Sequence, residues 1–196
     1  MRKAGGPVGK RRSRGGIALA LALALAACAS APSAIFDLKA ARPPAMRPFG
    51  AQVRIGDPVA TLALDSERIL VRDGLALALL PGGRWPQPLS SLFRARLVET
   101  FQNAGLARSL AGDGAAADYE LGIDIRAFEL DATTSQAHVN VAARIVALNS
   151  GRVADVEIFD AREPVASTDA ASVTAALDRA SAGVMTRIVA FVSGKL

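Results

Sequence analysis

Two side chains carry most of the reactive chemistry available to this 196-residue chain, and each occurs once: Cys28 and His138. A lone thiol cannot close an internal disulfide, and one cysteine with one histidine cannot build the usual zinc cage. A nucleophilic cysteine needs a base that lowers its pKa, and His138 is the one imidazole on offer. His138 falls with Asn140 and Arg144 on the polar parity of a run whose other parity is Val139, Val141, Ala143 and Ile145, the pattern of a solvated strand face. Glu120 and Asp124 alternate with Leu121, Ile123 and Ile125 in the same way, so they read as a wet face rather than an acid–base pair. Gly82-Gly83 is followed by Arg84, not by the Gly-Lys-Ser/Thr of a phosphate loop. No catalytic residue, metal site or cofactor is expected, and the chain reads as a non-enzyme.

The surroundings of Cys28 suggest another use for its sulfur. Arg2, Lys3, Lys10, Arg11, Arg12 and Arg14 form a basic leader without an acidic residue, and residues 17–27 follow as an unbroken apolar run. Eleven apolar residues are too few to span a bilayer, which takes about 20. A basic segment, a short apolar segment and small residues before a cut site describe an export signal. Reading the leader as a nucleic-acid or nuclear tail would leave the apolar run unexplained. Leu25-Ala26-Ala27-Cys28 resembles a bacterial lipobox. That resemblance implies cleavage between Ala27 and Cys28, a diacylglyceryl group on the thiol and an acyl chain on the new amine. A single acyl chain holds a protein only marginally, whereas several hold it firmly. Ala29, in place of aspartate, implies by the same resemblance sorting to the periplasmic leaflet of the outer membrane. The expected organisation is a signal at residues 1–27, a lipidated tether at 28–34 and one periplasmic domain at 35–196.

Six of the 23 basic residues lie in the leader, leaving 17 against 18 acidic ones. The remainder is close to neutral, without the basic footprint of a nucleic-acid binder.

The elements that must fill the domain follow from periodicity. Short extended segments are expected at residues 35–38, 53–55, 61–64 and 69–71, the last ending at the turn Asp73-Gly74. Residues 75–80 form the return strand, with leucines alternating against alanines as if both faces were covered. Pro81-Gly82-Gly83 reads as a break. Leu89, Phe93, Leu97 and Phe101 share one helical face, and Gly105 stands where a helix C′ glycine belongs. Three alternating strands follow, from Tyr119, from His138, and around Val156 and Ile158 to about Glu163, with a phase slip at Ala127-Phe128 that predicts a β-bulge or a strand end. Val173, Leu177, Ala180, Val184, Ile188 and Phe191 predict a long last helix, with Asp169 as N-cap and Gly194 as stop. Strands, helix, three-strand meander and long helix give an α+β fold: a mixed or antiparallel sheet with two helices on one face. Trp85, the sole tryptophan, is either a staple at the helix start or a partner contact, since tryptophans dominate many interfaces.

With these residues in place the chain resembles the ABC-type transport auxiliary lipoproteins, the PqiC-like family. The resemblance rests on the lipobox and Phe36-Asp37-Leu38, Leu64-Asp65-Ser66-Glu67-Arg68-Ile69, Arg84-Trp85-Pro86-Gln87-Pro88-Leu89, Asp118-Tyr119-Glu120-Leu121 leading to Phe128-Glu129, and Asp160-Ala161-Arg162-Glu163-Pro164-Val165. The family more often has tyrosine where Phe36 stands, and it brings no catalytic residue with it. It implies a docking subunit for an MCE-domain protein with its permease and ATPase, which move lipids between the two membranes, and assembly of further copies into a ring. The alternative is a structural assembly lipoprotein of outer-membrane or secretion machinery.

Overall fold

The computed structural model describes Met1, residues 33–112 and residues 114–196. The cleavage pair Ala27 and Cys28, residues 2–27 of the signal, residues 28–32 of the tether and Asp113 lie outside the described residues. In chain order the elements are β1 (Ala34–Ile35), β2 (Val53–Ile55), β3 (Val59–Ala60), β4 (Arg68–Asp73), β5 (Ala76–Arg84), α1 (Leu89–Asn103), a 3-10 turn (Ala107–Ser109), β6 (Tyr119–Asp131), β7 (Gln136–Ala147), β8 (Arg152–Pro164) and α2 (Ala170–Lys195). The described residues form an α+β fold on one mixed sheet of eight strands, whose main path runs β1-β5-β4-β6-β7-β8.

The sheet is organised around β6. On one side β7 pairs with it antiparallel along its whole length, and β8 continues the meander. On the other side β2, β3 and β4 lie against successive stretches of it, all parallel. The predicted bulge falls between Ile125 and Ala127. Because side chains alternate along a strand, one extra residue returns Phe128 and Leu130 to the face already set by Leu121, Ile123 and Ile125, and all five are buried. Val139, Val141, Ala143 and Ile145 of β7 extend that face, and Phe159 is the deeply buried residue of β8.

α2 lies along β8 and β7 and also reaches β5 and β6. Its buried side holds the expected residues from Val173 to Phe191. The Asp169 carboxylate accepts the Ser172 N–H at 3.0 Å, and bonds from the Ser167 hydroxyl and that amide hold its carboxyl well below the usual range. Gly194 does not end the helix, which continues to Lys195. α1 buries Leu89, Leu92, Phe93, Leu97 and Phe101 and touches α2, where Thr100 Oγ1 meets Met185 Sδ at 3.6 Å. It ends at Gly105, whose φ of 82° suits the αL turn that closes a helix.

Several expectations shift. The first strand stops at Ile35; Leu38 is buried from a loop instead. Residues 61–64 make a turn closed by Leu64 N–H to Thr61 O at 2.9 Å, and the extended pair is Val59–Ala60. Pro81-Gly82-Gly83 does not break the chain: β5 runs through it to Arg84, with Gly82 at φ 77° kinking the strand. Gly83 must be glycine, since a Cβ there would sit 2.9 Å from Ala170 Cβ and 3.1 Å from the Phe36 ring. The leucines of residues 75–79 are not covered on either face; all five residues are exposed.

Trp85 is 1% exposed and meets Phe128 edge-on at 5.9 Å. It therefore staples the approach to α1 onto β6 and presents no surface to a partner, which corrects its placement as a partner contact. Trp85→Ala should lower the unfolding free energy by about 3–5 kcal/mol, the cost of emptying an aromatic core site. Urea denaturation followed by circular dichroism measures the loss.

Candidate functional site

Strand register places a polar row on the face of the sheet opposite Val139 and Val141. Leu79, Leu70, Glu129, His138 and Arg162 are successive register partners across β5, β4, β6, β7 and β8. Residues directly opposite in a ladder share a face. The next row holds Leu77, Arg72, Asp131, Gln136 and Pro164. The two rows are tied together diagonally by charge.

Glu129 is 2% exposed and Arg72 40%. The Arg72 Nε donates to Glu129 Oε1, and Nη2 donates to Oε2 at 3.2 Å, a two-point grip. That carboxylate holds the Arg72 guanidinium above its ordinary pKa. Arg162 Nη1 donates to Asp131 Oδ2 at 3.2 Å. Asp160 Oδ2 accepts from Asn140 at 2.6 Å and lies 2.7 Å from His138 Nε2. Burial pushes the Asp160 carboxyl up, but the Asn140 and His138 bonds and the nearby Arg162 outweigh it, so its pKa falls below the usual value. Arg162 Nη2 lies 3.5 Å from His138 Nδ1. A guanidinium only donates, so Nδ1 is the acceptor and Nε2–H is the donor to Asp160.

This geometry decides what the imidazole does. Both ring nitrogens are engaged, and neither partner is a hydroxyl or a thiol that the imidazole could activate. His138 thus cross-links β7 to β8 on a charged face rather than standing free in solvent. Among the described residues there is no group of three or more His, Cys, Asp or Glu placed to hold a metal ion. A cleft of about 250 Å³ lies between α1, β2 and the segment after the 3-10 turn, floored by Val53 and Ile55. Arg94 at its rim donates to Ile55 O at 3.1 Å, and the open clefts beside Arg96 and beside Tyr119 are larger, at about 510 and 530 Å³.

The remaining conspicuous motifs are junctions. Glu67 O accepts the Trp85 N–H at 2.7 Å and the Glu67 carboxylate pairs with Arg84 at 2.5 Å. Asp65 Oδ1 and Ser66 O accept the first amides of α1, from Ser90 and Leu89, at 3.2 and 3.3 Å. Pro88 has no capping side chain, so the 65–67 turn caps the helix from a distance. Asp118 takes the Gln52 N–H at 2.8 Å and Glu120 grips Arg54, clamping β2 to β6. Asp37 pairs with Arg96 at 2.6 Å, and Glu163 with Arg179 at 3.3 Å. Sequence alone missed the Arg72–Glu129 pair: past the bulge Glu129 falls on the polar parity between Phe128 and Leu130, and periodicity does not set it apart from an exposed carboxylate.

The model of the family described as ABC-type transport auxiliary lipoprotein component matches residues 36–189. The protein bll6063 of Bradyrhizobium diazoefficiens is 31% identical over 153 residues, which are 74% of this chain and 40% of that protein, so the chain spans about two fifths of the relative's length. The crystal structure of protein XCC0632 from Xanthomonas campestris superposes with a TM-score of 0.72 at 30% identity, covering 82% of this chain and 96% of the other. The protein CT253 from Chlamydia trachomatis shares the fold, with a TM-score of 0.50 at 15% identity over 74% of this chain and 97% of its own.

Removing Arg72 should strand a buried carboxylate. Arg72→Ala should cost about 2–3 kcal/mol, less than a fully buried pair because Arg72 is partly solvated. Arg72→Met combined with Glu129→Leu should recover most of that loss. Urea midpoints of the three proteins measured side by side check both statements.

Proposed function

The chain belongs to the family of ABC-type transport auxiliary lipoprotein components, and on that premise we propose that it is the lipid-anchored docking subunit of an MCE-type system moving lipids between the inner and outer membranes. The observation that carries this is the position of Cys28, at the end of a lipobox and eight residues before the family match begins. The thiol takes the diacylglyceryl group, the signal is then cut between Ala27 and Cys28, and Ala29 directs the anchored protein to the periplasmic leaflet of the outer membrane. The domain then holds the periplasmic portion of an MCE-domain protein, while the ATPase and the permease are separate chains. Its charged sheet face, fixed by Arg72–Glu129 and by the His138–Asp160–Arg162 cluster, offers alternating signs that favour a specific partner by complementarity. No helix among the described residues is long and apolar enough to cross a membrane, and the anchor is assigned to Cys28 on the strength of the lipobox. The conserved chemistry of an enzyme is not required of such a subunit.

Cys28→Ser should abolish incorporation of a fatty-acid analogue in cells. Affinity purification of the acylated protein from detergent extracts should recover an MCE-domain protein with its permease and ATPase. Persistent labelling of the serine variant would remove the anchor, and recovery of secretion components alone would replace transport with an assembly role.

A further inference from the structure

Both edges of the sheet expose apolar side chains, Val153, Val156 and Ile158 on β8 and the leucines of residues 75–79 on β5, but they differ in charge. At the β8 edge, Arg187 Nη2 donates to Asp160 O at 2.8 Å and Arg179 Nη2 to Pro164 O at 3.3 Å. The Val156 N–H is taken by the Asp155 carboxylate at 2.9 Å. These are the devices by which an edge strand avoids pairing with strangers. At the other edge, β5 carries no charge between Leu75 and Gly83. Beyond β4, the strand that β5 pairs with among the described residues is β1, at Gly83 and Arg84. Residues 75–79 are all exposed, with Leu75 at 101%, Leu77 at 47% and Leu79 at 45% of full accessibility. Such a run of exposed apolar residues is a fault in a protein surface unless something covers it.

The geometry points to a lipid bilayer as that cover: the β4–β5 hairpin is a second membrane contact beside the acyl anchor. It rests on the acylation of Cys28 proposed above. β1 runs parallel to β5, so its amino end opens toward the hairpin end of β5. Cys28 stands six residues before Ala34, and six residues reach at most about 21 Å. From Gly83, the partner of Ala34, Leu79 and Leu77 lie four and six residues back along β5, about 13 and 20 Å at strand spacing. The tether therefore lets a leaflet that holds the lipid of Cys28 come as close to Ala34 as these leucines are. Asp73, next to the turn at Gly74, keeps a carboxylate at the tip and limits insertion to the headgroup boundary. The anchor supplies affinity, and the hairpin fixes which way the domain stands on the membrane.

The test uses the full acylated protein in phosphatidylethanolamine–phosphatidylglycerol vesicles. With Cys28 blocked by its lipid, Leu77→Cys offers one free thiol for an environment-sensitive dye, and Ile158→Cys at the β8 edge serves as control. Dye at 77 should shift its emission to the blue and be quenched by spin-labelled lipid tails, while dye at 158 should do neither. If dye at 77 behaves like dye at 158 although mass spectrometry finds lipid on Cys28, the hairpin contact is overturned and the anchor stands. Cross-linking of position 77 to a second copy or to residues 29–33, without lipid quenching, overturns it too. A Cys28 without lipid removes the anchor itself, an outcome the mass measurement registers separately.

Discussion

β6 is a strand of 13 residues in the middle of the sheet, and a buried strand must find partners for its amides and carbonyls on both sides. One side is simple, because β7 follows after a short turn and pairs along the whole length. The other side is met by three separate pieces of chain: β2 at its start, β3 in its middle and β4 at its end. None of these pieces is longer than six residues, so none would hold its place by pairing alone. Two of them are pinned by side chains, Arg54 to Glu120 for β2 and Arg72 to Glu129 for β4, and the 65–67 turn that follows β3 is fastened to the start of α1. These charged groups are thus the fittings that keep a patchwork of short strands in register on one long one.

That arrangement accounts for where the conspicuous polar motifs of the described residues go: they fasten strands to one another. A carboxylate that clamps a strand is bonded on geometry that leaves little for a substrate. His138 is the clearest case, since its two nitrogens already join Asp160 and Arg162. The result is a rigid polar face, suited to recognising another protein by complementary charge. An auxiliary component needs that kind of surface more than it needs a cleft.

Local patterns carried the parts of the fold that depend on local physics. Four-residue spacing located both helices, Asp169 was legible as a cap, and the phase slip at Ala127-Phe128 announced the bulge. What failed depended on neighbours far away in the chain. Pro81-Gly82-Gly83 looks like a break in isolation, yet β5 continues because β1, some 50 residues earlier, pairs with Gly83 and Arg84. The Leu-Ala alternation of residues 75–80 suggests coverage on both faces, and no periodicity reveals that β5 lies near an edge. Arg72 and Glu129 are 57 residues apart in sequence and meet only through the parallel register of β4 and β6. Trp85 was ambiguous until Phe128 was seen at its edge.

Gly83 is squeezed between the Phe36 ring and Ala170, the first residue of α2. Three segments remote in sequence therefore touch at a point one methyl group wide. β1 leaves this point parallel to β5 and is held there by its two-residue pairing and by the Phe36 N–H to Arg84 O bond at 2.9 Å. A pull on the chain upstream of residue 33 would load those bonds in shear rather than peel them one by one. The strain would pass directly into the first turn of the longest helix, so the domain is built to take tension at its amino end without unravelling.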